Sequence, residues 1–235
     1  MPKIIFLGSA GTLESISKTA RSSSSFIVEV DDKMLLFNPG PGSLLRLSQE
    51  KIASERIDAI MLSDEKAINA NDLHAITEQN HEIKIFKEHS RTHHLDNIEI
   101  ASIDSKNEKS AYIIKSSKFL LCYLPTAVYT RKMIEEFKDA NILVMDCNDE
   151  LDKKNIIEIV EEIGPELVII TGFGMKIIRE DPLDFSRILK KELQERLKAD
   201  GAHLATQIIP AKDGMQLNTE HYNIRLKQKS LKGFV

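Results

Sequence analysis

Apolar and polar positions change rhythm near the middle of the chain. Before Thr130 the apolar residues fall in short runs: "KIIFLG", "SFIVEV", "KMLLFN", "IDAIML", "EIKIF", "IEIASI", "SAYIIK" and "KFLLCYL". Each has the length and β-branched or aromatic content of a strand, and turn residues bound most of them. Asp31-Asp32 and Ser116-Ser117 sit where two of these strands would reverse as hairpins. After Thr130 the pattern alternates. "TRKMIEEFKDA" has helical spacing, "NILVMDC" is a buried strand, and "KKNIIEIVEEIG" is an amphipathic helix closed by Gly164-Pro165. "ELVIIT" is a further strand. "PLDFSRILKKELQERLKADG" is a long helix with Pro182 near its start and Gly201 at its end, and "HLATQIIPA" and "GMQLN" complete the strand series. Strands followed by alternating strands and helices, with no linker-like composition, predict sheets covered by helices in an α/β (α+β) fold.

Three turns are rich in glycine. "LGSAGT" has Gly8 and Gly11 after the first strand, but the following "TLESISKTARSSSS" is polar and poorly patterned for a helix. A dinucleotide fingerprint needs a third glycine and a helix at that point, so a tight turn with a mobile loop is the expectation. "NPGPG" (Asn38 to Gly42) predicts a rigid strand-to-helix corner, with "SLLRL" starting the helix. The helix start there could also receive an anion. "GFGM" follows the "ELVIIT" strand.

The whole chain of 235 residues is long enough for a substantial core. Its net charge of −4 argues against a general nucleic-acid surface. The one local exception is a basic tail at about 224–235 containing Arg225, Lys227, Lys229 and Lys232, read as a solvated terminus. Cys122 and Cys147 lack zinc-knuckle spacing and are expected to be buried free thiols in a reducing compartment. The apolar run in "MPKIIFLGSAG" is too short for a signal peptide or a membrane span, so the expectation is a cytoplasmic protein without membrane contact.

Taken in order, "FLGSAGT", "SSSFIVEV", "LLFNPGPGSLLRL", "IDAIMLSDEKAINANDL", "ITGFGM" and "KDGMQL" resemble the metallo-β-lactamase-fold hydrolases. The match is to a metal-dependent branch that reads Asp-Pro-Gly-Pro-Gly-Ser, then Leu-Ser-His-x-His-x-Asp-His, later Leu-Thr-His-Phe-Gly-Met and Asp-Gly-Met. The resemblance runs from Lys3 to about Leu217. It implies a single domain over 1–235, folded as a four-layer αββα sandwich with its site at the sheet edges between the two β layers.

The same resemblance implies that the metal chemistry has gone. The signature positions carry Asp64, Lys66, Ile68 and Asn69. The bridging Asp corresponds to Pro125, the late His to Gly172, and the Asp of the Pro-Gly corner to Asn38. "IASIDSKNEKSAY" holds no histidine, and Asp104 is its nearest stand-in. Zinc hydrolysis needs imidazoles and carboxylates converging on the metal, with a water as the fourth partner. Ile68 cannot bind or take a proton, and the ammonium of Lys66 repels a dication. His89, His93 and His94, placed in a polar connection, do not restore a ligand set, nor do the scattered His74, His81, His203 and His221.

The expected ligand pocket is therefore Asp64, Lys66, Asn69, Asp72, Asp104, Gly172 and Asp213, with no catalytic residue and no metal ligand. Lys66 is expected to neutralise carboxylates among Asp64, Asp72, Asp104 and Asp213. The sharper alternative is that it binds a small anionic ligand such as phosphate. The function expected is a pseudo-hydrolase with a binding or scaffold role and no cofactor. The alternative is a phosphodiester or lactone hydrolase using Mg or Mn on Asp64, Asp72, Asp104 and Asp213.

Overall fold

A computed structural model describes residues 2–19, 21–87, 90–105, 109–117, 119–125, 129–149, 152–199 and 206–219. The basic tail, His89, His203 and His221 lie outside the described residues. The chain begins with β1 (Lys3–Gly8), α1 (Leu13–Thr19), β2 (Ser25–Val30), β3 (Lys33–Phe37), α2 (Ser43–Gln49), β4 (Ala59–Met61), α3 (Ala67–Ala70), α4 (Leu73–Thr77) and β5 (Lys84–Phe86). It continues with β6 (Thr92–Leu95), β7 (Ile98–Ser105), β8 (Lys109–Lys115), β9 (Leu120–Leu124), α5 (Arg131–Phe137), β10 (Ile142–Asp146), α6 (Lys153–Ile163), β11 (Leu167–Thr171), α7 (Met175–Glu180), α8 (Pro182–Ala199), β12 (Gln207–Pro210) and β13 (Gln216–Asn218).

The strands form two sheets. One has the order β13-β1-β2-β3-β4-β5, the other β12-β11-β10-β9-β8-β7-β6. Alternation along β1 explains the layering: Ile4 and Phe6 face the second sheet, while Ile5 and Leu7 face outward. The layer between the sheets is filled by Phe6, Phe26, Phe37, Tyr112, Tyr123, Val144 and Ile169 among others. The outer face of the first sheet packs Leu47 of α2 and Ile76 of α4. The outer face of the second carries the apolar sides of α5, α6, α7 and α8. Helix, sheet, sheet, helix is the αββα sandwich the motifs imply.

The predicted hairpins are present, and Asp31 and Asp32 both take positive φ (48° and 62°) in the β2–β3 turn. Val144 and Ile169 are fully buried, as their all-apolar strands require, and Cys122 and Cys147 are buried free thiols. Helix α7 was not expected, and two further elements run against the pattern of their residues. "LESISKT" is the helix α1, made despite its polar pattern because Ser15 and Thr12 hydroxyls bond the first turn of backbone. His93 and His94 lie in the edge strand β6, whose ladder to β7 outweighs the polar composition, and His93 packs against Phe86 at 4.7 Å.

Candidate functional site

Strand ends from both sheets meet at one rim, and the turns leaving them approach one another closely. Asn38 ends β3 in the left-handed region (φ 47°), which turns its buried side chain inward. Its Nδ2 donates to Tyr123 Oη (2.8 Å) and its Oδ1 accepts from the Ser63 amide (2.8 Å). Tyr123 Oη in turn donates to Asp146 Oδ2 (2.9 Å) at the end of β10. Ser24 donates to Asp146 Oδ1 (3.1 Å) and shares a hydrogen bond with Thr171 at the end of β11 (3.2 Å). This chain of polar groups stitches the first sheet (Ser24, Asn38) to the second (Tyr123, Asp146, Thr171).

Electrostatics follow from burial. Asp146 is pushed up to about 6 by desolvation first, opposed by the charge of Lys109 and by the Tyr123 and Ser24 hydrogen bonds, with Asp64 adding to the rise. Tyr123 is held well above its ordinary value by burial and then by the Asp146 charge, so it stays a hydrogen-bond donor.

The residues expected to line a pocket do not all come together. Asp64 stands beside the floor: Oδ1 accepts from Asn69 Nδ2 (2.8 Å) and the Lys66 amide (3.0 Å), while Oδ2 is buried with no hydrogen-bond partner among the described residues. The Lys66 side chain is exposed, and among the described residues its ammonium makes no ion pair. The expected contact between that ammonium and a carboxylate is therefore absent, because α3 starts at once and turns the side chain outward. Asp72 serves α2, accepting from the Leu44 amide (3.0 Å). That internal carboxylate occupies the helix start that an external anion would have needed. Asp213 belongs to a separate knot, receiving Ser9 Oγ (2.7 Å), the Ser22 amide (2.9 Å) and Arg46 (3.1 Å). Asp104 is exposed on β7, opposite Ser110.

Gly172 sits at the floor in the left-handed region (φ 61°), and a Cβ there would lie 2.6 Å from the Asp146 carboxyl carbon. A side chain large enough to bind metal cannot occupy that spot while Asp146 keeps its place. Among the described residues no three of His, Cys, Asp and Glu converge on a point. These donors do not fit a dinuclear zinc centre. Of these floor residues only Asn38 is marked by the sequence, at the Pro-Gly corner; Asp146, Tyr123, Ser24 and Lys109 are not. The one available signal was an acidic residue ending the otherwise apolar "ILVMD" strand, where ligands of open α/β sheets collect.

Two sheets face to face, helices outside, and a polar floor where strand ends converge define a metallo-β-lactamase fold. The chain belongs to the family described as the β-lactamase superfamily domain, which residues 19–171 match. Its fold is similar to the metallo-β-lactamase fold protein YhfI from Bacillus subtilis, with 15% identity, a TM-score of 0.71, and coverage of 93% of this chain and 100% of that one. A diphosphatase of the PhnP family is also similar (15% identity, TM-score 0.66, 93% and 98% coverage). So is the short form of human tRNase Z (10% identity, TM-score 0.65, 92% and 98% coverage). No curated protein matches the sequence significantly. At these identities the structural neighbours establish the fold. No helix among the described residues is long and apolar enough to cross a membrane.

Proposed function

We propose that this chain is a catalytically degenerate member of the metallo-β-lactamase fold, holding no zinc and acting in binding or as a scaffold. The observation that carries the reading is the use made of the remaining donors. The half-buried Asp146 carboxylate is bound by Tyr123 and Ser24, and Asn38, at the corner where the resembling family has Asp, bonds Tyr123 and Ser63. Where the resemblance places ligands, Lys66, Ile68, Pro125 and Gly172 offer no lone pair suited to a dication. The carboxylate alternative with Mg or Mn is weakened by Asp72 and Asp213, which are committed to α2 and to Arg46. Elemental analysis of protein purified without a histidine tag tests the proposal. Zinc well below one ion per chain, with no turnover of phosphodiester or lactone substrates, is expected. One or two zinc ions bound beside Asp64 would overturn it.

A further inference from the structure

Two carboxylates, Asp64 and Asp146, lie near one another at a floor where the resembling hydrolases carry dications, and the charge of Asp64 raises the cost of charging Asp146. A nearby positive charge would offset that cost, and the exposed Lys66 does not supply it. The β8 and β9 ladders place another candidate there. Lys109 opens β8, and its Nζ donates to the carbonyl of Pro125 at 3.3 Å. Pro125 follows Leu124, whose neighbour in the parallel β9–β10 ladder is Met145, so Pro125 runs alongside Asp146. The ammonium is thus tethered at the turn where the resembling family has its bridging carboxylate.

We propose that Lys109 is the built-in cation of this site, its ammonium supplying the positive charge that the degenerate floor no longer takes from metal. The inference rests on the degenerate-site reading. Lys109 is a positioning residue: it acts through the field it sets on Asp146 and leaves the hydrogen bonds to Tyr123 and Ser24 as the direct contacts. The groups facing Asp146 are Tyr123 from β9, Ser24 from the start of β2, Thr171 from β11, Asp64 from the turn after β4, the adjoining Cys147, and Lys109. Lys109 is the one whose charge lowers the Asp146 value, where desolvation and Asp64 raise it.

The test is a carboxyl carbon-13 titration of Asp146 in the full-length wild type, K109M and K109R. In the wild type the midpoint is expected near 6, since burial pushes the group up to about 6 even with Lys109 present. Removing the ammonium in K109M should move the midpoint up by at least about half a unit, and K109R should return it towards the wild-type value. A lysine that merely packs its stem would leave the midpoint in place, and an unshifted K109M midpoint overturns the proposal. Should K109M not fold, K109Q removes the same charge with a polar side chain and is read by the same criterion. Zinc in the wild-type protein would defeat the degenerate-site reading. A zinc-free protein with an unshifted K109M midpoint would defeat only the role of Lys109.

Discussion

The glycine corners and the ligand positions of the same rim have fared differently. At the corners the backbone packs so tightly that almost any side chain is excluded. A Cβ on Gly40 would lie 1.9 Å from the Ile68 carbonyl oxygen, one on Gly11 2.0 Å from that of Gly172, and one on Gly8 2.2 Å from that of Ser23. At the ligand positions the chain carries Lys66 in solvent, Pro125, and Gly172. The contrast teaches that the turns are held by the close approach of backbone to backbone, whatever the chemistry of the site. Metal ligands are held only by their chemistry, and in the degenerate site we propose the protein's own hydrogen bonds take their place.

The sharpest way to break that comparison is Gly40→Ala. Its Cβ would collide with backbone, which cannot rotate away, so the corner must open. A loss on the order of 4 kcal/mol, or failure to fold, is expected in urea denaturation. A loss under about 1 kcal/mol would mean the corners are as free to vary as the ligand positions. Next comes Ile169→Ala, in the layer between the sheets, where a fully buried side chain leaves a cavity. About 2–4 kcal/mol should be lost, read from the denaturation midpoint at unchanged slope.

The polar floor gives a pH-dependent test of similar size. Asp146 is raised from 3.8 to about 6 in the folded protein, so the fold favours its protonated form. The stability this group contributes is fully present below the unfolded value and is lost as pH rises through the folded one. Between about pH 4 and pH 6 the wild type should therefore lose up to roughly 3 kcal/mol relative to Asp146→Asn, which has no proton to release. Equal pH slopes for the two proteins in that window would show that Asp146 is not held as the geometry implies.

Much of the fold was legible in the sequence because burial writes itself as period. The change from strand runs to alternating strands and helices near Thr130 is the layout observed, and "LVIIT" and "ILVMD", apolar up to their last residues, are strands whose apolar residues are buried on both faces. Helix α1 and strand β6 were hidden because their stability comes from hydroxyl caps and an edge ladder, which leave no apolar period. The site was harder to read. Motif order identified the rim, but which groups meet there depends on separations across strands distant in sequence. Tyr123 and Asn38 are 85 residues apart and Ser24 and Asp146 122 apart. Lys66 looked like the cation because it adjoins Asp64 in sequence, while Lys109 reaches the floor through the β8–β9–β10 ladders.

The smallest expected effect sharpens the comparison from the other side. If the Lys66 position, unlike Gly172, is free of both chemistry and packing, Lys66→Ala should be nearly silent. The side chain is exposed and forms no ion pair among the described residues, and only its backbone is used, the amide by Asp64 Oδ1 and the carbonyl by the Asn69 and Ala70 amides. Alanine keeps that amide and suits the residue preceding α3, whose backbone there is extended (φ −69°, ψ 150°). The change in stability should therefore stay within about 0.5 kcal/mol, as for surface positions generally. The Asp146 titration midpoint should also stay put, in contrast to K109M. A loss above about 1.5 kcal/mol, or a midpoint that rises as far as in K109M, would show Lys66 to be the charge partner after all, and the ligand positions to be as constrained as the corners.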